Sequence, residues 1–214
     1  VMHGVFIAGT DTGVGKTVVT AALTAILHAA GRDVLPVKPV QTGATRSGAR
    51  WIAPDLEFCL AATGIQPGGE ERDWMAPCCF EPAVSPHFAA EQAGIPIAVD
   101  SIVTALEALA RRHDLLVVEG AGGLLVPLNP AQTMVDLIQR LGLPVILVSR
   151  PGLGTINHTL LSLRELGRAG VRVAGVIFNS TRAGEEEAVV ASNRRTIEQF
   201  SGIPVFAVLP YLSD

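Results

Sequence analysis

Nine residues, GTDTGVGKT (Gly9 to Thr17), constrain this chain more than any others. They follow the apolar run Val5-Phe6-Ile7-Ala8 and precede the apolar-rich VVTAALTAIL. That order reads as strand, loop, helix. A glycine-rich loop that runs into a helix start offers backbone N–H groups and the positive end of the helix to an anion. Gly15-Lys16-Thr17 is the informative core: in such loops the lysine reaches the β- and γ-phosphates of a nucleotide and the hydroxyl ligates Mg²⁺. The strict pattern would begin with glycine at position 10, where this chain has Thr10, and Gly9 lies one residue earlier. Asp11, Thr12, Gly13 and Val14 complete the loop and Val18 continues the helix, so this stretch is the candidate nucleotide site.

Short apolar runs recur between helical patterns: GVFIA (4–8), DVLPV (33–37), LLVVE (115–119), PVILV (144–148), RVAGVIF (172–178) and PVFAVL (204–209). Most are nearly continuous in apolar residues, as expected of strands buried on both faces of a parallel sheet. Helical stretches at about 16–30, 100–112, 134–141, 155–169 and 185–199 alternate with them. The alternation predicts an α/β chain with an open, mostly parallel sheet and flanking helices. At 214 residues, one core and one domain (1–214) are expected. The segment from about 41 to 99 breaks the rhythm, with one short helix expected near 55–60; a long irregular insertion is more often functional than idle.

Sixteen basic against twenty acidic side chains, a net charge of −4, argue against a nucleic-acid backbone binder. Cys59, Cys78 and Cys79 form neither a disulfide framework nor a CxxC metal pattern, and read as buried or incidental thiols. No basic leader precedes a long apolar core, and no apolar run reaches the ~18 residues of a membrane span. A cytoplasmic protein without nucleic-acid or membrane partners is expected.

Further candidates fall at the carboxyl ends of strands, where ligands collect in open parallel sheets. Lys38, in VKPVQTG (37–43), lies on the edge of the phosphate loop, with Thr42 nearby; a solvated strand-end lysine is an equal alternative. Glu119 ends the third strand beside the loop as a Mg²⁺ partner, followed by Gly120, Gly122 and Gly123, which let backbone pass close to a ligand. Asp55 is a third metal oxygen or, taken alone, the start of a helix. Gly154, Thr155 and Asn157 stand at a helix start that forms either an anion site or an ordinary cap. Asn179, ending the fifth strand, either pairs with a base or serves a turn.

Taken together, GTDTGVGKT, VKPVQTG, EPAVSPH (81–87), VEGAGGLLVPL (118–128), LGTINHTLL (153–161) and FNS followed by LPYL resemble the dethiobiotin synthetases. The matches run in order over nearly the whole chain. The resemblance implies a P-loop ligase of biotin biosynthesis whose inputs are 7,8-diaminopelargonic acid, CO₂ (or bicarbonate) and ATP with Mg²⁺. It implies that Lys16 and Lys38 stabilise the transferring phosphoryl group and that Thr17, Asp55 and Glu119 hold Mg²⁺. Thr12 and Thr42 would line the diamine and carbamate site, alongside Lys38. Asn179, with Pro210 and Leu212, would hold adenine. Gly154, Thr155 and Asn157 would bind the substrate carboxylate across the interface of a homodimer. Gly13 stands where some members carry Glu, and Thr42 where others have Ser. A partition or septum-site ATPase shares the fold but usually has a lysine early in its loop, where this chain has Asp11. A corrinoid amidotransferase synthetase would need a glutaminase domain besides.

Overall fold

The structure, a computed structural model, describes residues 2–211. In chain order it contains β1 (Gly4–Gly9), α1 (Lys16–Ala29), β2 (Val34–Val37), β3 (Val40–Thr42), β4 (Thr45–Ser47), β5 (Arg50–Ile52), α2 (Pro54–Thr63) and α3 (Gly69–Met75). There follow β6 (Cys78–Phe80), α4 (Pro86–Ala93), α5 (Val99–Ala110), β7 (Leu115–Glu119), α6 (Met134–Leu141) and β8 (Val145–Ser149). The described part closes with α7 (Thr155–Arg168), β9 (Val173–Asn179), α8 (Glu187–Ser201) and β10 (Val205–Leu209).

Six strands form one parallel sheet in the order β10-β9-β8-β1-β7-β2. Each predicted run falls within about a residue of its strand. Alternate side chains enter two apolar layers. Phe6, Ala8, Leu35, Val37, Leu116, Val118, Val145 and Leu147 pack with Ile102, Leu106, Leu137 and Leu166 on one face. Ile7, Val34, Val117, Ile146 and Val148 pack with Val14 and Val19, and with Leu23 and Leu27 of α1, on the other. Burial on both faces is why the strands read as unbroken apolar runs. The chain leaves β1 in one direction towards β7 and β2 and later returns on its other side to β8, so the end of β1 is the switch point at which a crevice opens.

The insertion is more ordered than its composition suggests. It holds three helices, α2 to α4, rather than one short one. It also holds a parallel β3–β6 pair and an antiparallel β4–β5 hairpin. The main-chain N–H of Lys38 donates to the carbonyl of Met75 at 2.8 Å, and that of Ala44 to Phe80 at 2.9 Å. These bonds tie the chain leaving β2 to the far end of the insertion and fix the direction in which Lys38 departs.

Candidate active site

The phosphate loop hangs between the end of β1 and the first turn of α1. The Thr10 N–H donates to Val148 of β8 at 3.0 Å, anchoring its start. Val14, 1% exposed, plugs its far side into the apolar layer beneath α1. Gly15 at the helix N-cap has φ +93°, which L side chains rarely adopt, and a Cβ there would overlap the Asn179 amide nitrogen. Among the described residues, the N–H groups of Gly13, Val14, Gly15, Lys16 and Thr17 have no protein acceptor. α1 has no acidic side chain in its first turn, so the positive end of the helix is left for an external anion. The Lys16 ammonium spans the loop and donates to the Asp11 carbonyl at 2.9 Å. Burial, and next the charge of Lys38, lower its pKa to about 8. The Glu119, Asp55 and Asp11 carboxylates pull the other way without making up that loss.

Beside the loop lies a tight charged network. The Lys38 ammonium is 2.6 Å from Asp55 Oδ2 and 2.7 Å from Glu119 Oε1, and it donates at 3.3 Å to the Gly120 carbonyl. The Thr17 hydroxyl donates to the same Glu119 oxygen at 2.8 Å. Glu119 is 2% exposed and the Lys38 side chain 6%. Burial pulls the Lys38 pKa down, but the Glu119 and Asp55 carboxylates more than offset it and hold it above the usual lysine value. Lys38 is therefore not a solvated strand-end lysine. Asp55 occupies the first turn of α2 without being its N-cap, which is Ala53. Its N–H donates to the Gln41 side-chain Oε1 at 3.3 Å, so Gln41 helps set where the carboxylate points.

Thr12, Gly13, Gly15, Lys16, Thr17, Lys38, Thr42, Asp55, Glu119 and Gly122 share one cleft of about 390 Å³. Two carboxylates and a hydroxyl beside an anion cradle are a hard oxygen donor set. Mg²⁺ commonly takes one or two carboxylates and completes its shell with water and substrate phosphates, so Thr17, Asp55 and Glu119 fit it. Among the described residues there is no group of three or more His, Cys, Asp or Glu poised to hold a metal without such help. A larger, mostly apolar recess of about 670 Å³ between α4 and the 127–130 turn contains none of these side chains.

The "AAA domain" family model matches residues 3–214. A protein of Anaeromyxobacter dehalogenans described as "ATP-dependent dethiobiotin synthetase BioD" is 41% identical over 213 residues, spanning 100% of this chain and 92% of the relative. One of the same description from Halalkalibacterium halodurans is 39% identical over 215 residues, covering 100% and 87%. The chain belongs to the dethiobiotin synthetase family. Among solved structures, the septum site-determining protein MinD of Pyrococcus horikoshii, complexed with Mg-ADP, aligns with TM-score 0.61 at 20% identity. That alignment covers 98% of this chain and 82% of that one, and at such identity it shows the fold alone.

Other residues that the synthetase family implies lie outside this cleft. Gly154 is the N-cap of α7 and Asn157 is exposed in its first turn. The N–H groups of Ile156 and Asn157 are open, but that of Thr155 donates to Gly152 at 3.2 Å. The Thr155 hydroxyl is buried in a triad with Ser149 (2.7 Å) and Thr159 (3.2 Å), which braces the helix start, and Thr155 lines a cleft of about 260 Å³ with Gly152 and His158. Val18 is 40% exposed on α1. Pro210 follows β10, and Leu212 lies outside the described residues. Gly120 packs against the Phe6 ring, where a Cβ would come within 2.9 Å, so it serves the core as well as the cleft. Two contacts escaped the sequence reading: Arg150 pairs with Asp11 at 2.9 Å, and Asn179 donates to the Val14 carbonyl at 3.1 Å. Both join residues far apart in the chain, and no local pattern announces them.

Proposed function

We propose that this synthetase family member forms the ureido ring of dethiobiotin from 7,8-diaminopelargonic acid, CO₂ and ATP. The observation that carries the reading is Lys38, held beside the phosphate loop between Asp55 and Glu119. One amine captures CO₂ and loses a proton, giving a carbamate. A carbamate oxygen attacks the γ-phosphorus and ADP leaves. The second amine then attacks the carbamoyl carbon of the mixed anhydride, and phosphate leaves with the ring closed.

The carbamate is already an anionic nucleophile, so the protein must supply positive charge and position. Phosphoryl transfer spreads charge over the transferring oxygens. Lys16, Lys38 and the open N–H groups of Gly13 to Thr17 supply positive charge around that group. Mg²⁺ bound by Thr17, Asp55 and Glu119 would neutralise phosphate charge. Thr12 and Thr42, which both line the cleft, orient the diamine and its carbamate. Holding both amines in register makes closure effectively unimolecular, worth about 7–11 kcal/mol at best.

The substrate carboxylate binds the open N–H groups at the start of α7, with Asn157, from a second subunit of a homodimer. Leu153 at that helix start is 99% exposed, which supports an interface there. Asn179 and Pro210 hold the adenine. Residues 1–214 work as one P-loop domain in the cytoplasm, and no described helix is long and apolar enough to cross a membrane. Incubation with ¹³C-bicarbonate, the diamine and MgATP should yield a product that retains the labelled carbon. An unlabelled product, or label incorporation without ATP, would refute the reaction.

A further inference from the structure

Asn179 is buried, 6% exposed, at the last position of β9, 165 residues from the loop it touches. Its Nδ2 donates to the Val14 carbonyl. Its side chain fills the space in which a Gly15 Cβ would stand. In a trans peptide the carbonyl of one residue and the N–H of the next point in opposite directions. Turning the Val14 carbonyl towards Asn179 therefore turns the Gly15 N–H the other way. That N–H has no protein acceptor among the described residues, and Gly15 lines the cleft with Lys16 and Thr17. Elsewhere the loop is tied at its start, by Thr10 to Val148 and by the half-exposed Asp11–Arg150 pair. At its far end the Thr17 hydroxyl donates to Glu119, and Asn179 is the side chain that tethers the Val14–Gly15 peptide.

We infer that Asn179 is a positioning residue for the phosphate loop, orienting the Val14–Gly15 peptide so that the Gly15 N–H meets the anion, whatever base the anion carries. This rests on the nucleotide reading above only in taking the loop's ligand to be a polyphosphate. The amide has a second proton and its oxygen free for a base, so base recognition and loop bracing share one side chain. A base that shifts Asn179 then also shifts the phosphate cradle.

The discriminating probe is a phosphate chain without a base. Binding of Mg-tripolyphosphate and of MgATP is measured calorimetrically for the wild type, Asn179→Ala and the near-isosteric Asn179→Leu. Thermal melts without ligand establish that each variant is folded, and the Leu variant keeps a side chain packed near Gly15. Losing one hydrogen bond that orients a binding group predicts tripolyphosphate weakened about five- to tenfold in both variants, with ATP weakened at least as much. Loss of ATP affinity with tripolyphosphate unchanged would assign Asn179 to the base alone and overturn the inference. Unchanged binding of both would overturn it too, as would a wild type that binds ATP but not tripolyphosphate. A wild type that binds tripolyphosphate but not ATP would refute the nucleotide reading, while weakening by the variants would still support the brace.

Discussion

Replacing Lys38 with Met keeps the stem and removes the charge. Glu119, 2% exposed, and Asp55, whose side chain is 33% exposed, would then face one another without the ammonium that stands 2.7 and 2.6 Å from them. Removing one partner of a buried ion pair costs about 3–5 kcal/mol, because the charge left behind is uncompensated. Partial exposure of Asp55 lets water relieve its share, so the lower end applies, roughly 3 kcal/mol. For a chain of this size 1 kcal/mol moves Tm by about 2–4 °C, so a fall of roughly 6–12 °C is expected. A divalent cation that binds the same carboxylates should return part of it, about 1.4 kcal/mol at ten times its Kd. The assay is a circular-dichroism melt in EDTA and in MgCl₂, without nucleotide. The Met variant should melt well below wild type in EDTA and gain more from Mg²⁺ than wild type does. A Tm within a degree of wild type in EDTA, or equal gains from Mg²⁺, would refute the claim that Lys38 neutralises these two carboxylates.

Other expectations follow from the same geometry. Lys38→Ala should lose ring closure while still binding MgATP, read by product formation beside calorimetry; wild-type-like turnover would remove Lys38 from the reaction. Gly15→Ala places a Cβ against Asn179 and forces a left-handed backbone, costing at least about 1–2 kcal/mol in denaturant titration and weakening ATP. Asn157→Ala should raise KM for the diamine far more than for ATP, whereas equal loss of both would make the α7 start purely structural. Burial pushes the Cys78 and Cys79 thiols up to about 11 and about 12. Both should stay protonated and slow towards a thiol reagent at pH 8, becoming reactive only well above that pH or in denaturant; rapid labelling of the folded protein at pH 8 would contradict it.

The sheet was legible because its physics is local to each strand. Val5-Phe6-Ile7-Ala8 and Leu115-Leu116-Val117-Val118 are apolar on both faces because both faces are covered, and such runs stand out in a polar background. The insertion was not, since Val40–Thr42 pairs with Cys78–Phe80 across thirty-five intervening residues, and three-residue strands carry too little pattern to reveal such a partner. Single candidate side chains could be picked out at strand ends, Lys38, Glu119 and Asn179 among them, but not what they touch. Nothing in VKPVQTG says that Lys38 lies between two carboxylates, and Asp55 by itself reads as part of a helix start. Nor does LGTINHTLL announce that the Thr155 hydroxyl bonds to Ser149 at the end of the preceding strand.

Ring closure on a diamine, driven from the phosphate loop, is the reaction proposed for this chain. It is tested most directly by measuring phosphate released from MgATP with and without 7,8-diaminopelargonate and bicarbonate. Release should need both, with one phosphate for each dethiobiotin formed. Release that proceeds equally well without the diamine would contradict it.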